Sequence, residues 1–146
     1  MDALPKLATR VGIAGLLPQA IAVLIVIGGG EYRWSALAVG YGYAALIFSF
    51  LGGVWWGQAL STARTPGWIY AAAVAPSLIA LGTYLPWIYG RDWPGPSLAV
   101  LGVCLIASPL VDRAIGRSIP LPDGWMKLRW ILSSGLGGLT LLLAAF

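Results

Sequence analysis

The sequence contains no histidine, and its one cysteine is Cys104. Without histidine the chain cannot form a Ser-His-Asp or Cys-His set for nucleophilic catalysis, a Cys/His metal cluster, or an imidazole ligand to haem. A single cysteine also excludes an intrachain disulfide. No glycine-rich phosphate-binding motif follows a strand pattern. The sequence therefore predicts no catalytic, cofactor-binding or metal-binding residues, and we expect the protein not to be an enzyme.

Charge is scarce as well. Charged residues make up 10% of the chain and apolar residues 59%, whereas soluble domains carry roughly 25% charged residues. This composition indicates an integral membrane protein without a soluble domain, whose surroundings are the lipid bilayer. The nine Lys and Arg residues exceed the acidic residues and give a net charge of +4. They are spread along the chain, so no nucleic-acid partner is expected.

Five apolar segments are long enough to cross a membrane. They cover about residues 11–28, 35–57, 68–89, 96–116 and 126–146. The predicted fold class is an all-α integral membrane protein, a compact bundle of five transmembrane helices in a single domain over residues 1–146. The fourth segment spans fully only if it continues through Ile115 with Arg113 reaching to the headgroups; the alternative is a re-entrant segment. The first is too long for a signal-peptide core and lacks a cleavage site, so we expect it to be retained.

Basic residues are distributed unequally between the two sides that five spans define. Seven of them fall on the side of the N-terminus, and only Arg33 and Arg91 fall on the other, each near an acidic residue, Glu31 or Asp92. The positive-inside rule then predicts a cytoplasmic N-terminus and an external C-terminus. We expect a multi-pass protein of the bacterial inner membrane. Aromatic residues gather at both predicted boundaries, with Trp93 on the outer side.

The second segment carries a face of small residues. At 100° per residue, one arc of the helix collects Ala38, Gly42, Ala45, Ser49, Gly53 and Gly57. Small residues let another backbone approach closely, which drives helix association in lipid. We therefore predict that Gly42, Ser49, Gly53 and Gly57 form a helix-packing or partner interface. Packing of this face against neighbouring spans of the same chain is favoured over docking of another protein or a homodimer, because a five-span bundle has ample internal surface. The last span offers a matching set of small residues, Ser133, Ser134, Gly135, Gly137 and Gly138.

Tryptophans mark the predicted cytoplasmic boundary. We expect Trp55, Trp56, Trp125 and Trp130 to be membrane-interface anchors, with Lys127 and Arg129 reaching out to water. A ligand-stacking or pigment-contacting role for the first two is the alternative. No ionisable residue is expected well inside a span, and Asp112 with Arg113 is interpreted as a local ion pair at a helix end.

Residues 41–42 and 47–57, Tyr-Gly and Ile-Phe-Ser-Phe-Leu-Gly-Gly-Val-Trp-Trp-Gly, resemble the signature of a family of small polytopic proteins. This family, of unknown function and found in proteobacteria, is related to mitochondrial transmembrane protein sixty-nine. Residues 12–18 are similar to its first span and residues 126–129 to the start of its last. The resemblance implies a helical membrane fold and an inner-membrane location, and it carries over no catalytic residues.

Three functions fit these observations. The favoured hypothesis is a non-catalytic accessory or assembly subunit that packs against a larger respiratory or photosynthetic membrane complex. A small transporter or channel for a polar solute or ion is the alternative, suggested by proline-containing spans and by the polar Gln19, Tyr41, Tyr43 and Ser49. An intramembrane enzyme acting on lipid would have to depend on Asp112 and Arg113.

Overall fold

The computed structural model describes residues 3–91 and 94–146. Asp92 and Trp93, which entered the predictions for the outer boundary, lie outside the described residues. The described part of the chain contains six α-helices. They are α1 (Lys6–Ala14), α2 (Leu17–Gly28), α3 (Arg33–Leu60), α4 (Trp68–Ile88), α5 (Gly95–Ile115) and α6 (Trp125–Ala145).

The first span consists of α1 and α2, separated by a turn at Gly15 and Leu16. Pro18 is in the first turn of α2, the one part of a helix where its missing N–H is tolerated. It cannot donate to the carbonyl of Ala14, so the helical hydrogen bonds stop there and start again. The span thus begins earlier than predicted, at Lys6, and is interrupted.

The predicted number of spans is confirmed, because five segments of the described chain are helical, long and apolar enough to cross a membrane. The fourth, α5, runs through Ile115 with Arg113 exposed, as full spanning requires. The second, α3, is longer than predicted at both ends. Its 28 residues give a length of about 42 Å at 1.5 Å per residue, enough to extend beyond the hydrocarbon core.

Backbone and terminal contacts identify which segments share an end of the bundle. The amide of Leu4 donates to the carbonyl of Asp123 at 3.3 Å, so the chain start lies beside the α5–α6 loop. At the opposite end, the Arg33 guanidinium donates to the carbonyl of Phe146. The end of the bundle that contains the contact between Leu4 and Asp123 is called the basic end. It comprises residues 3–10, 61–67 and 113–127.

The helix α3 is central, since it contacts α2, α4, α5 and α6. The closest helix pair is α5 with α6, where two glycines meet at backbone contact. A Cβ added to Gly137 would lie 2.8 Å from the carbonyl oxygen of Gly102, and one added to Gly102 would lie 3.1 Å from that of Gly137. These glycines let the two helices pack at a distance that no larger residue would allow.

Candidate partner face and buried polar cluster

The predicted interface on α3 is open in the folded chain. An added Cβ at Gly42, Gly53 or Gly57 would meet nothing within 4 Å, and Gly53 and Gly57 are exposed. The prediction that Gly42, Gly53 and Gly57 pack against neighbouring spans of the same chain is therefore wrong. Ala45 of the same arc packs against the core. We call the other five residues, Ala38, Gly42, Ser49, Gly53 and Gly57, the open α3 face.

Packing within the chain uses different glycines of α3. A Cβ on Gly52 would overlap the carbonyl oxygen of Ala73 in α4, and one on Gly40 would overlap the side chain of Leu143 in α6. Both glycines are buried. Because successive helical residues differ by 100° in direction, Gly52 points into the bundle while its neighbour Gly53 is exposed.

The small residues of α6 pack on other helices. A Cβ on Gly135 would lie 2.9 Å from the side chain of Leu16, which precedes α2, and Gly137 contacts α5. Gly138 has nothing within 4 Å. The glycines of the last span therefore either pack against other parts of the chain or meet no neighbour, and none of them contacts the open α3 face.

The open α3 face continues into a groove between α3 and α4 with a volume of about 690 Å³. Ser49 and Ser77 bring hydroxyl groups to its lining. Aromatic rings close one end: Tyr41 meets Trp87 edge-on at a centroid distance of 5.4 Å and stacks on Tyr84 at 6.1 Å. The groove offers a neighbouring helix small residues, two hydroxyls and an aromatic rim.

The two adjacent tryptophans of α3 occupy different environments. Trp55 is only 3% exposed and belongs to the core, so its predicted role as an interface anchor is wrong. Its indole Nε1 is buried without a hydrogen-bond partner in the described chain, as is Oε1 of Gln58. Trp56 is 43% exposed and packs edge-on against Tyr70 at 5.1 Å.

The other two predicted anchors also differ from each other. Trp130 is 40% exposed, so its anchoring role stays a prediction. Trp125 is half-buried, and its indole Nε1 donates to Asp112 Oδ1 at 3.1 Å. This tryptophan is therefore part of a polar contact between α5 and α6.

A buried ion pair lies at the centre of that contact. Asp112 is 0% exposed and Arg129 is 5% exposed, with 3.0 Å between Arg129 Nε and Asp112 Oδ2. The prediction that Arg129 reaches water is wrong, and so is the pairing of Asp112 with Arg113. Adjacent residues of a helix do not face each other, whereas α5 and α6 bring Asp112 and Arg129 together.

Two serines complete this polar cluster. Ser108 Oγ donates to the carbonyl of Leu105 at 2.7 Å, a carbonyl left without its helical partner because Pro109 has no N–H. With its proton used there, Ser108 accepts from Arg129 Nη2 and from Ser133, each at 3.0 Å. Hydrogen bonds satisfy both charged side chains of this polar cluster. The cluster therefore holds α5 against α6.

The sequence contained a signal for this cluster. Ser108 and Asp112 are four residues apart on α5, and Trp125, Arg129 and Ser133 follow the same spacing on α6. Residues four apart share a helix face, so each span carries a polar stripe. The described chain contains no group of three or more metal-ligating side chains.

Comparison with known proteins agrees with this architecture. The family described as "Protein of unknown function (DUF3429)" matches residues 4–146. The chain belongs to the DUF3429 family. It is also similar to Transmembrane protein 69 of Xenopus tropicalis, with 37% identity over 79 residues that cover 52% of this chain and 31% of that protein. The chain thus spans less than a third of that relative's length. No solved structure matches it.

These matches confirm the predicted resemblance, and the DUF3429 protein is a membrane protein with five apolar helical spans. Two further polar side chains in its spans join segments of the bundle. Gln19 Nε2 in α2 donates to Thr140 Oγ1 in α6 at 2.9 Å. The Tyr43 hydroxyl donates to the Gly15 carbonyl at 2.5 Å. The latter contact fixes the turn between α1 and α2 against α3.

Proposed function

We propose that this DUF3429 protein is a non-catalytic accessory or assembly subunit of the bacterial inner membrane, with its N-terminus in the cytoplasm. Its open α3 face packs against a transmembrane helix of a larger complex, respiratory or photosynthetic. The observation that carries the proposal is the open space around Gly42, Gly53 and Gly57, which no helix of the same chain fills.

The energetics of glycine support a partner on this face. A glycine inside a helix costs about 1 kcal/mol relative to alanine, and the open α3 face has three. At Gly40 and Gly52 the cost is offset by close packing within the chain. At the open positions no contact within the chain offsets it, and a closely packed neighbouring helix would. In lipid, where apolar tails solvate any apolar surface, close van der Waals contact is what holds two helices together.

Three of the four polar side chains that suggested transport have partners within the bundle, while Ser49 lines the groove between α3 and α4. Gln19 is bonded to Thr140, Tyr41 to Thr83 at 2.7 Å, and Tyr43 to the Gly15 carbonyl. These contacts fasten helices, which favours the accessory role over the transporter. An intramembrane enzyme acting through Asp112 has less support still, because this carboxylate is fully buried and paired with Arg129.

Purification in a mild detergent, followed by mass spectrometry and sizing, tests the proposal. The wild type and a Val103→Leu control should co-purify with the same larger complex, since Val103 is a 58% exposed residue of α5 away from the open α3 face. Gly53→Leu should be recovered without that complex but still folded. Recovery of the wild type solely as a free monomer or homodimer would overturn the proposal. Solute flux in liposomes would favour the transporter.

A further inference from the structure

We propose that the basic end carries a binding site for the phosphate group of an anionic phospholipid. The site is a pocket of about 600 Å³ formed by the end of α5, the loop that follows and the start of α6. Arg113, Arg117 and Lys127 line it and supply its positive charge. It lies on other helices than the open α3 face, so the two proposals are independent.

The charge in this pocket is not balanced within the described chain. The three cationic side chains are all exposed, and Asp123 is the one acidic residue among the lining residues. The ion pair found in the described chain joins Arg129 to Asp112, away from these side chains. Arg113 lies in the last turn of α5 and Arg117 in the turn that follows, and both line the pocket. An anionic group fits this pocket by charge.

The backbone adds hydrogen-bond donors. Gly124, which precedes α6, provides no side-chain cap, and the first-turn amides of a helix have no partner inside it. The Trp125 amide donates to the Pro122 carbonyl, which leaves the amides of Met126 and Lys127 at the pocket. The positive end of the α6 dipole lies there too, a favourable place for an anion.

The negative end of α5 lies at the same pocket but is largely covered. The carbonyls of Asp112, Ala114 and Ile115 accept from the amides of residues 116–119 at 2.9 to 3.3 Å. Their partial negative charges are therefore screened by the following turn. The donors of α6 and the three cationic side chains dominate the electrostatics of the pocket.

The position of the pocket favours a lipid over a free anion. It lies between the end of one apolar span, α5, and the start of the next, α6, and the ends of membrane spans meet the polar headgroup region. Leu121 and Met126 form an apolar part of the lining, which suits the glycerol and upper acyl region. Basic pockets between transmembrane helices are a recognised way of binding anionic headgroups.

The test compares two triple variants of the full chain. Arg113→Gln, Arg117→Gln and Lys127→Gln together remove the pocket charges. Lys6→Gln, Arg10→Gln and Arg64→Gln together remove the same charge from exposed positions at the same end but outside the pocket. Each protein is reconstituted in phosphatidylcholine with or without phosphatidylglycerol, then extracted, and the retained lipid is measured by mass spectrometry. Melting temperature is followed in parallel, with inorganic phosphate as a further probe.

Wild type and the outer triple variant should retain phosphatidylglycerol, whereas the pocket triple variant should lose at least about tenfold. Phosphatidylglycerol should raise the melting temperature of the first two only. Equal loss in both triple variants, or no preference over phosphatidylcholine, would overturn the proposal. Stabilisation by inorganic phosphate equal to that by the lipid would show a free-anion site and overturn it as well. If the pocket triple variant fails to fold, Arg117→Gln against Arg64→Gln decides by the same criteria.

Discussion

Two pairs of identical neighbouring residues in α3, Gly52 with Gly53 and Trp55 with Trp56, are divided between a buried and an outer side of the helix. Gly52 and Trp55 lie on the buried face, where Gly52 meets the backbone of α4 and Trp55 is enclosed in the core. Their immediate neighbours, Gly53 and Trp56, lie on the outer side, with open space around Gly53. A rotation of 100° per residue separates the members of each pair. The same residue type thus packs the fold at one position and leaves a surface free at the next.

This contrast shows what a small-residue motif can predict. The spacing of Gly53 and Gly57 indicates that a helix can approach closely, but it does not identify which helix. In this chain the neighbouring Gly52 makes the internal crossing, and the motif itself faces outwards. The comparison becomes testable because each buried residue has a matched neighbour on the other face.

The largest loss of stability is expected when the buried ion pair between α5 and α6 is broken. Arg129→Ala would leave the Asp112 carboxylate buried without its cation, which should cost about 3 to 5 kcal/mol of unfolding free energy. Labelling of the single thiol, Cys104, during an SDS titration in mixed micelles measures the loss. Cys104 suits this purpose because it is partly buried between α3, α4 and α5.

The matched control for that variant removes both charges. Asp112→Leu combined with Arg129→Leu should be much less destabilised than Arg129→Ala, because no unpaired charge remains. If the double variant were as unstable as the single one, the ion pair would not be the cause of the loss.

The next effect separates the two tryptophans of α3. Trp55→Ala should cost about 3 kcal/mol, the lower end for loss of a buried tryptophan, because its indole N–H has no partner to lose. Trp56→Ala should cost about 1 kcal/mol, the value of its edge-on contact with Tyr70. The same SDS titration checks both, and equal costs would contradict the division between the faces.

The number and approximate limits of the spans could be predicted because hydrophobic length depends on the chain alone. Which face of α3 is buried could not, because lipid and protein core are both apolar and the helix is apolar on all sides. Trp55 was misplaced for this reason, since its sequence neighbourhood is the same as that of Trp56. The break in the first span at Gly15 could be predicted only in part. Pro18 interrupts the helical hydrogen bonds, but a proline at this position is equally compatible with a kink in a continuous helix.

The pairing of residues in the polar cluster was more predictable from the sequence than the orientation of α3. The four-residue spacings of Ser108 with Asp112 and of Arg129 with Ser133 define one face on each of two consecutive spans. Consecutive spans joined by a short loop are usually neighbours in space. What the sequence could not supply was the depth of Arg129, because a long basic side chain near a helix end can equally extend to water.

A smaller effect is expected at the internal glycine crossing. Gly52→Leu places a side chain against the Ala73 carbonyl, so α3 and α4 must separate, at a cost of about 1 to 3 kcal/mol. Reduced melting temperature and faster labelling of Cys104 would report it. A fully stable Gly52→Leu protein would show that this crossing does not hold the helices together.

The smallest effect on stability is expected for the substitution Gly53→Leu. A Cβ at Gly53 meets no atom of the chain within 4 Å, and leucine is the better helix former, so the isolated Gly53→Leu protein should gain up to about 1 kcal/mol. The same substitution should nevertheless abolish recovery with a larger complex, while Gly53→Ala, which keeps the surface nearly flat, should retain it. Sizing in mild detergent beside the SDS titration separates these two properties. Loss of stability in Gly53→Leu would place this glycine in the internal packing after all, and unchanged assembly would remove the open α3 face as the docking surface.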